Sequence, residues 1–194
     1  MRFTFLAEHK DNPIWQEPEE TGLIYDLPFQ NSLSRLRDIS IQIAQNLPTE
    51  LISSLGEALV CASPETHVGP FLHALDILIP DGTEVLASQD GTVKCVVDFF
   101  NNFGDNPEFS GQLNYITILH PNNEMSQYCH LMQNSATNLG MIAGMKVKKG
   151  QKIGIVGKSG WTNKDHLHFI VQRDDFRLEN PFKFKSLKIR FSCE

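Results

Sequence analysis

The chain has 194 residues, a formal net charge of −6 and 41% hydrophobic residues. This suffices for one buried core of ordinary domain size plus an extension, and the acidic balance argues against a nucleic-acid binder, which needs a basic surface. No stretch approaches the length of a membrane span, and residues 1–10 hold too short an apolar run for a secretory signal. A cytoplasmic chain, or one exported by a route without a classical signal, is therefore expected.

Residues 1–30 read as a short strand, a Pro- and Glu-rich loop and the segment Leu27-Pro28-Phe29. Leu33, Leu36, Ile39, Ile43 and Leu47 then fall at three-and-four spacing, which predicts a helix, and Leu51, Leu55, Ala58 and Leu59 suggest a second short helix after Pro48. Pro64 closes this region, so residues 1–64 are expected to form an N-terminal extension with a helical segment and residues 65–194 a β domain. From His67 the chain runs through Gly69-Pro70 and Asp76 to Asp90-Gly91-Thr92-Val93. The loop at residues 101–107 is rich in turn formers and joins two strand-like runs, so it can serve as a groove wall or as a plain surface hairpin. A strand-like run from Asn114 to Ile118 leads on to Tyr128-Cys129-His130-Leu131. Between Met145 and Gly157, short alternating runs are separated by glycines that permit tight turns, the pattern of small antiparallel β structure. Lys146, Lys148, Lys149 and Lys152 read most simply as the solvent face of those strands, with a place beside an acidic substrate as the alternative. Near the C-terminus Asn180-Pro181 marks a turn, and Leu187, Ile189 and Phe191 alternate with Lys188 and Arg190 as in a half-buried final strand.

The segment Asp165-His166-Leu167-His168-Phe169 carries the most chemistry. Side chains two apart on a strand leave the same face, so His166 and His168 are expected to share one space, as metal or acid–base sites require. Cys129, adjacent to His130, is expected to face the opposite way and to pack in the core rather than act in catalysis. Cys61, Cys95, Cys129 and Cys193 show no Cys-x-x-Cys spacing, and reduced thiols are the simpler reading.

Taken together and in order, Asp76, Pro80-Asp81-Gly82-Thr83-Glu84-Val85-Leu86-Ala87, Asp90-Gly91-Thr92-Val93, Asn114-Tyr115, Tyr128-Cys129-His130-Leu131, Lys149-Gly150-Gln151-Lys152-Ile153-Gly154 and His166-Leu167-His168-Phe169 resemble the lysostaphin/LytM-type zinc endopeptidases that cut peptide cross-bridges of bacterial cell walls. The resemblance covers residues 67–181. It implies a mainly β fold of small antiparallel sheets, a duplicated hybrid motif, with a zinc ion as cofactor and peptidoglycan peptides as substrate. It also implies that Asp76 and His168 are zinc ligands and that His130 and His166 are catalytic histidines flanking the metal. Such an activity needs access to a wall outside the cytoplasm, in tension with the lack of a recognisable signal.

One departure concerns the third ligand. The commonest family pattern has a zinc-binding His four residues before the Asp, and that position is Leu72, which cannot ligate zinc. His67 and His73 are the candidates to replace it. His73, three residues before Asp76, would lie on the opposite face of a regular strand, whereas Gly69-Pro70 can fold the chain back to bring His67 in. His67 is therefore expected as the ligand, with His73 as the alternative. Two imidazoles and a carboxylate would leave one tetrahedral position open, as catalytic zinc sites do. Leu72 also admits another reading, a catalytically degenerate relative acting as a binding or activating module. A carrier module, suggested by the glycine-rich run alone, has no use for the His-x-His pair.

Overall fold

A computed structural model describes residues 19–30, 52–55, 58–61, 66–177 and 182–192. Its strands are β1 (Ile52–Leu55), β2 (Ala58–Cys61), β3 (Leu75–Leu78), β4 (Glu84–Leu86), β5 (Gly91–Val97), β6 (Phe103–Gly104), β7 (Tyr115–Leu119), β8 (Met125–Cys129), β9 (Lys146–Val147), β10 (Lys152–Ile155), β11 (Gly160–Trp161), β12 (Leu167–Asp174) and β13 (Phe184–Ser186). The protein is mainly β, and among the described residues helical structure is limited to short 3₁₀ turns. One sheet has the order β1-β2-β3-β12-β8-β7-β5-β9, with β13 also on β12, and β4–β10 and β6–β11 form two small sheets.

The expectation of a second helix after Pro48 is corrected here. Residues 52–55 and 58–61 are antiparallel strands, and β2 pairs with β3 at Val60↔Ile77 and Cys61↔Asp76. The spacing of Leu51, Leu55, Ala58 and Leu59 imitates a helix face, but the open edge of β3 supplies backbone partners, and tertiary pairing overrides so short a periodic signal. The first predicted helix, residues 32–47, lies outside the described residues, as do residues 1–10, the Asn180-Pro181 turn and Cys193.

Period-two alternation divides the large sheet into two faces. Leu167, Phe169 and Val171 of β12, Ile77 of β3, Tyr128 of β8, and Ile116 and Ile118 of β7 turn to one side and form the core. Tyr128 and Phe169, partners across β8 and β12, hold their rings 5.0 Å apart. Val85 and Ile153 from the small β4–β10 sheet join the same core, as do Tyr25, Phe29 and Leu187. Each such fully buried side chain contributes on the order of 1.5–3 kcal/mol. Segment 19–30 is fastened by Glu124, whose side chain is fully buried. Its carboxylate accepts from the Gly22 amide at 2.5 Å, the Tyr25 hydroxyl at 2.9 Å and the Arg173 guanidinium at 3.2 Å.

The C-terminal segment keeps the predicted alternation in burial but not the predicted strand. Leu187 is buried, whereas Lys188 and Arg190 are exposed. The regular strand is β13, at residues 184–186, and Lys188 and Phe191 then make isolated parallel bridges to Glu20 and Tyr25.

Candidate metal centre and flanking histidines

The site lies on the face opposite the core, along one row of cross-strand partners. Asp76 of β3 pairs with His168 of β12, and His168 pairs with Cys129 of β8. Directly opposed residues in an antiparallel pair share a face, so this register brings carboxylate and imidazole together. His168 Nδ1 lies 2.8 Å from Asp76 Oδ1. His166, just before β12, shares the face by alternation, with Nε2 3.7 Å from the same oxygen.

His67 arrives by a chain reversal. Gly69 adopts φ +55°, which glycine tolerates without steric penalty, and Pro70 opens a 3₁₀ turn over Gly69–Phe71. The reversal is closed by bonds from the Phe71 amide to the Val68 carbonyl and from the Leu72 amide to the Gly69 carbonyl. It puts His67 Nε2 3.2 Å from Asp76 Oδ1 and its ring 5.0 Å from that of His168. His67 is 5% exposed, and neither ring nitrogen is in hydrogen-bonding geometry. One donor atom each from His67, Asp76 and His168 lies within 4.8 Å of the others. His73 stands apart from this group: its amide donates to Ser186 Oγ at 3.0 Å, and burial, then the charge of Lys188, lowers its pKa. Leu72 is 44% exposed.

Two further imidazoles flank the trio. The rings of His130 and His166 lie 4.5 Å apart, and those of His130 and His168 6.0 Å apart. His130 Nδ1 meets the Ser159 carbonyl at 2.7 Å, and His166 Nδ1 meets the Lys164 carbonyl at 3.0 Å. A carbonyl oxygen can only accept, so in each neutral ring Nδ1 carries the proton and Nε2 keeps its lone pair. Burial, followed by the neighbouring His166 and His168, pushes the His130 pKa down to about 3. Burial also works against ionisation of Asp76, but His166, His168 and His67 outweigh it and hold the carboxyl well below its ordinary value. A carboxylate thus sits among imidazole nitrogens, a donor set suited to a divalent cation of borderline softness.

The orientation of Cys129 differs from expectation. As the partner of both His168 and Tyr115, it shares the site face. His130 reaches the same side because its φ is +62°, so the alternation ends at the strand terminus. Burial, reinforced by the charge of Asp76, raises the Cys129 pKa, which keeps the thiol protonated and a poor nucleophile. His120, the remaining described imidazole, is satisfied by the Asp90 carbonyl at 2.8 Å and Ser126 Oγ at 2.9 Å and packs edge-on against Tyr25.

Sequence reasoning assigned no role to Asn114 or Ser159, both fully buried and both hydrogen-bonded around His130. Their signal was present as the Asn114-Tyr115 match at the start of an apolar strand and as a serine in a glycine-rich run, neither of which specifies a role.

The family model of peptidase family M23 matches residues 71–180. That span holds Asp76, His130, His166 and His168, and His67 precedes it. The chain is similar to peptidoglycan DD-endopeptidase ShyA of Vibrio cholerae, with 34% identity over 94 residues, 48% of this chain and 18% of that protein. It is likewise similar to cell division protein DipM of Caulobacter vibrioides, with 34% identity over 95 residues, 49% of this chain and 13% of that protein. The chain therefore spans less than a fifth of the length of either relative. Among solved structures, a zinc-containing peptidase from Vibrio cholerae is 31% identical, with a TM-score of 0.40 over 51% of this chain and 26% of that one. The catalytic domain of lysostaphin from Staphylococcus simulans is 23% identical, with a TM-score of 0.43 over 59% of this chain and 74% of that one.

Proposed function

Because the chain belongs to peptidase family M23, we propose that it is a zinc-dependent endopeptidase that hydrolyses peptide bonds of peptidoglycan cross-links or related peptides. The observation that carries this reading is His67, a buried imidazole beside a carboxylate with neither nitrogen hydrogen-bonded. A buried imidazole whose nitrogens make no hydrogen bond costs desolvation free energy that metal ligation recovers. His67, Asp76 and His168 would hold the ion, three protein ligands with one position left open, as in catalytic zinc sites. When bound, zinc supplies Lewis acidity that activates water and polarises a peptide carbonyl.

The remaining chemistry falls to His130 and His166. In the neutral form of each, Nε2 is the unprotonated nitrogen, because Nδ1 donates to a backbone carbonyl. One can take the proton of the attacking water. Once protonated, an imidazole can stabilise the developing oxyanion or pass its proton to the departing amine. The rings, 4.5 Å apart, border a single space, so both roles are available around one scissile bond. The names of the relatives point to peptidoglycan as the substrate class.

The test is hydrolysis of purified muropeptides by the zinc-loaded protein, read by mass spectrometry of the products and paired with zinc stoichiometry. Cleavage that chelation abolishes and zinc restores is the expected result. Failure to bind zinc under metal-replete conditions overturns the reading and leaves the degenerate module in its place.

A further inference from the structure

His130 holds a left-handed backbone conformation, φ +62°, which a non-glycine residue keeps only where its surroundings over-determine it. Those surroundings are a clamp on the two peptide groups that follow it. The His130 carbonyl accepts from the Gly157 amide at 2.9 Å, and the Leu131 amide donates to the Asn114 carbonyl at 3.3 Å. The Leu131 carbonyl is held twice, by Asn114 Nδ2 at 3.0 Å and by Ser159 Oγ at 3.2 Å. Asn114 completes its amide through Phe100, donating to the carbonyl at 2.8 Å and accepting from the amide at 3.0 Å. Its own backbone amide donates to Ser159 Oγ at 3.0 Å. Every polar atom of the Asn114 side chain is thus engaged, and the same serine whose hydroxyl closes the clamp presents its carbonyl to His130 Nδ1 at 2.7 Å.

We infer that Asn114 and Ser159 are positioning residues that fix the His130 ring in the Nδ1-protonated tautomer, with its bare Nε2 turned to the reacting space. The inference rests on the peptidase reading only for its kinetic consequence. Neither side chain contacts His67, Asp76 or His168 by a hydrogen bond, so the clamp orders the acid–base group without touching the metal ligands. The chemistry selects these residue types. Asn114 must donate to two carbonyls while accepting from an amide, and among side chains of its size only a primary amide does both. Aspartate has the same shape but sets oxygen against the carbonyls of Phe100 and Leu131.

The experiment compares Asn114→Asp and Ser159→Ala with the unmodified full chain, all zinc-loaded. It reads the imidazole ¹⁵N shifts of His130 above the ordinary histidine pKa of about 6.5, together with zinc content, kcat and KM. The expected result is a protonated Nδ1 in the parent and a shift of population toward protonated Nε2 in both variants. Zinc content and KM should hold while kcat falls about tenfold or more, a part of the ~10²- to 10⁴-fold that an acid–base group supplies. Should Asn114→Asp fail to fold, Ser159→Ala, which keeps the Ser159 carbonyl and removes one hydroxyl, decides alone. The inference is overturned if His130 of the parent carries its proton on Nε2, or if folded variants keep the parental ¹⁵N pattern and lose only thermal stability. If the parent hydrolyses no peptide, the peptidase reading fails, and the ¹⁵N shifts still decide the positioning role.

Discussion

Asp76 and His168, 92 residues apart in sequence, are direct partners across β3 and β12, with His168 Nδ1 2.8 Å from Asp76 Oδ1. Strand register rather than a flexible loop therefore sets this contact. His67 reaches the same oxygen only through the Gly69–Phe71 reversal. We predict that His67→Ala and Asp76→Ala each lose zinc, whereas His73→Ala retains it. Metal stoichiometry and a competitive chelator titration check this, and loss of zinc in His73→Ala with retention in His67→Ala would sink the assignment.

His130 and His166 flank the trio without belonging to it. His130→Ala and His166→Ala should each keep zinc and lower the rate of peptide hydrolysis on the order of 10²- to 10⁴-fold. Equal zinc content beside a steady-state rate is the measurement. A variant that loses its metal would move that residue into the ligand set.

Gly157 packs against the chain just past His130. A Cβ there would lie 2.6 Å from Met132 Cα and 2.7 Å from Met132 N. Backbone cannot yield as a flexible side chain can, so Gly157→Ala should destabilise by about 1–3 kcal/mol, the usual cost of overpacking, and should disturb the His130 carbonyl that the Gly157 amide holds. Denaturant unfolding and kcat should fall together; an unchanged midpoint refutes the packing argument.

Glu124 sets an acid limit on stability. Burial opposes its ionisation, but donors from Asn122, Gly22, Tyr25 and Leu23 outweigh it and lower the pKa of the folded state. A depressed pKa stabilises the fold above the unfolded value of about 4.3, and that contribution is lost as pH falls through the folded value. Glu124→Gln cannot satisfy the same donors as well and removes one of the two carboxylates paired with Arg173, leaving Glu19, so it should destabilise at neutral pH and flatten the acid limb. Urea unfolding across that pH range checks the slope, and identical acid limbs for both proteins would refute the role assigned to Glu124.

Some of this was legible from local periodicity. That His166 and His168 share a face follows from the two-residue repeat of a strand, and Gly69-Pro70 marked a reversal because Gly-Pro breaks regular structure; the structure makes it with φ +55° at Gly69. The helix expected after Pro48 fails for the converse reason. A run of four residues fits either periodicity; β2 is decided by its hydrogen bonds to β3, which lies more than ten residues on, and β1 by its pairing with β2. Cys129 shows the same limit from another side, since His130 breaks the alternation at the strand end.

What the sequence by itself determined is the inventory and its local geometry: the imidazoles and carboxylate able to ligate or transfer protons, and the alternation that pairs two of them on β12. What the tertiary structure decided is convergence. Asp76 meets His168 through register, His67 joins through a turn whose outcome depends on where β3 is anchored, and His130 is oriented by Asn114 and Ser159 from separate passes of the chain. Periodicity propagates only along one segment, whereas contacts between segments are selected by the global packing of the core, and no local pattern encodes them.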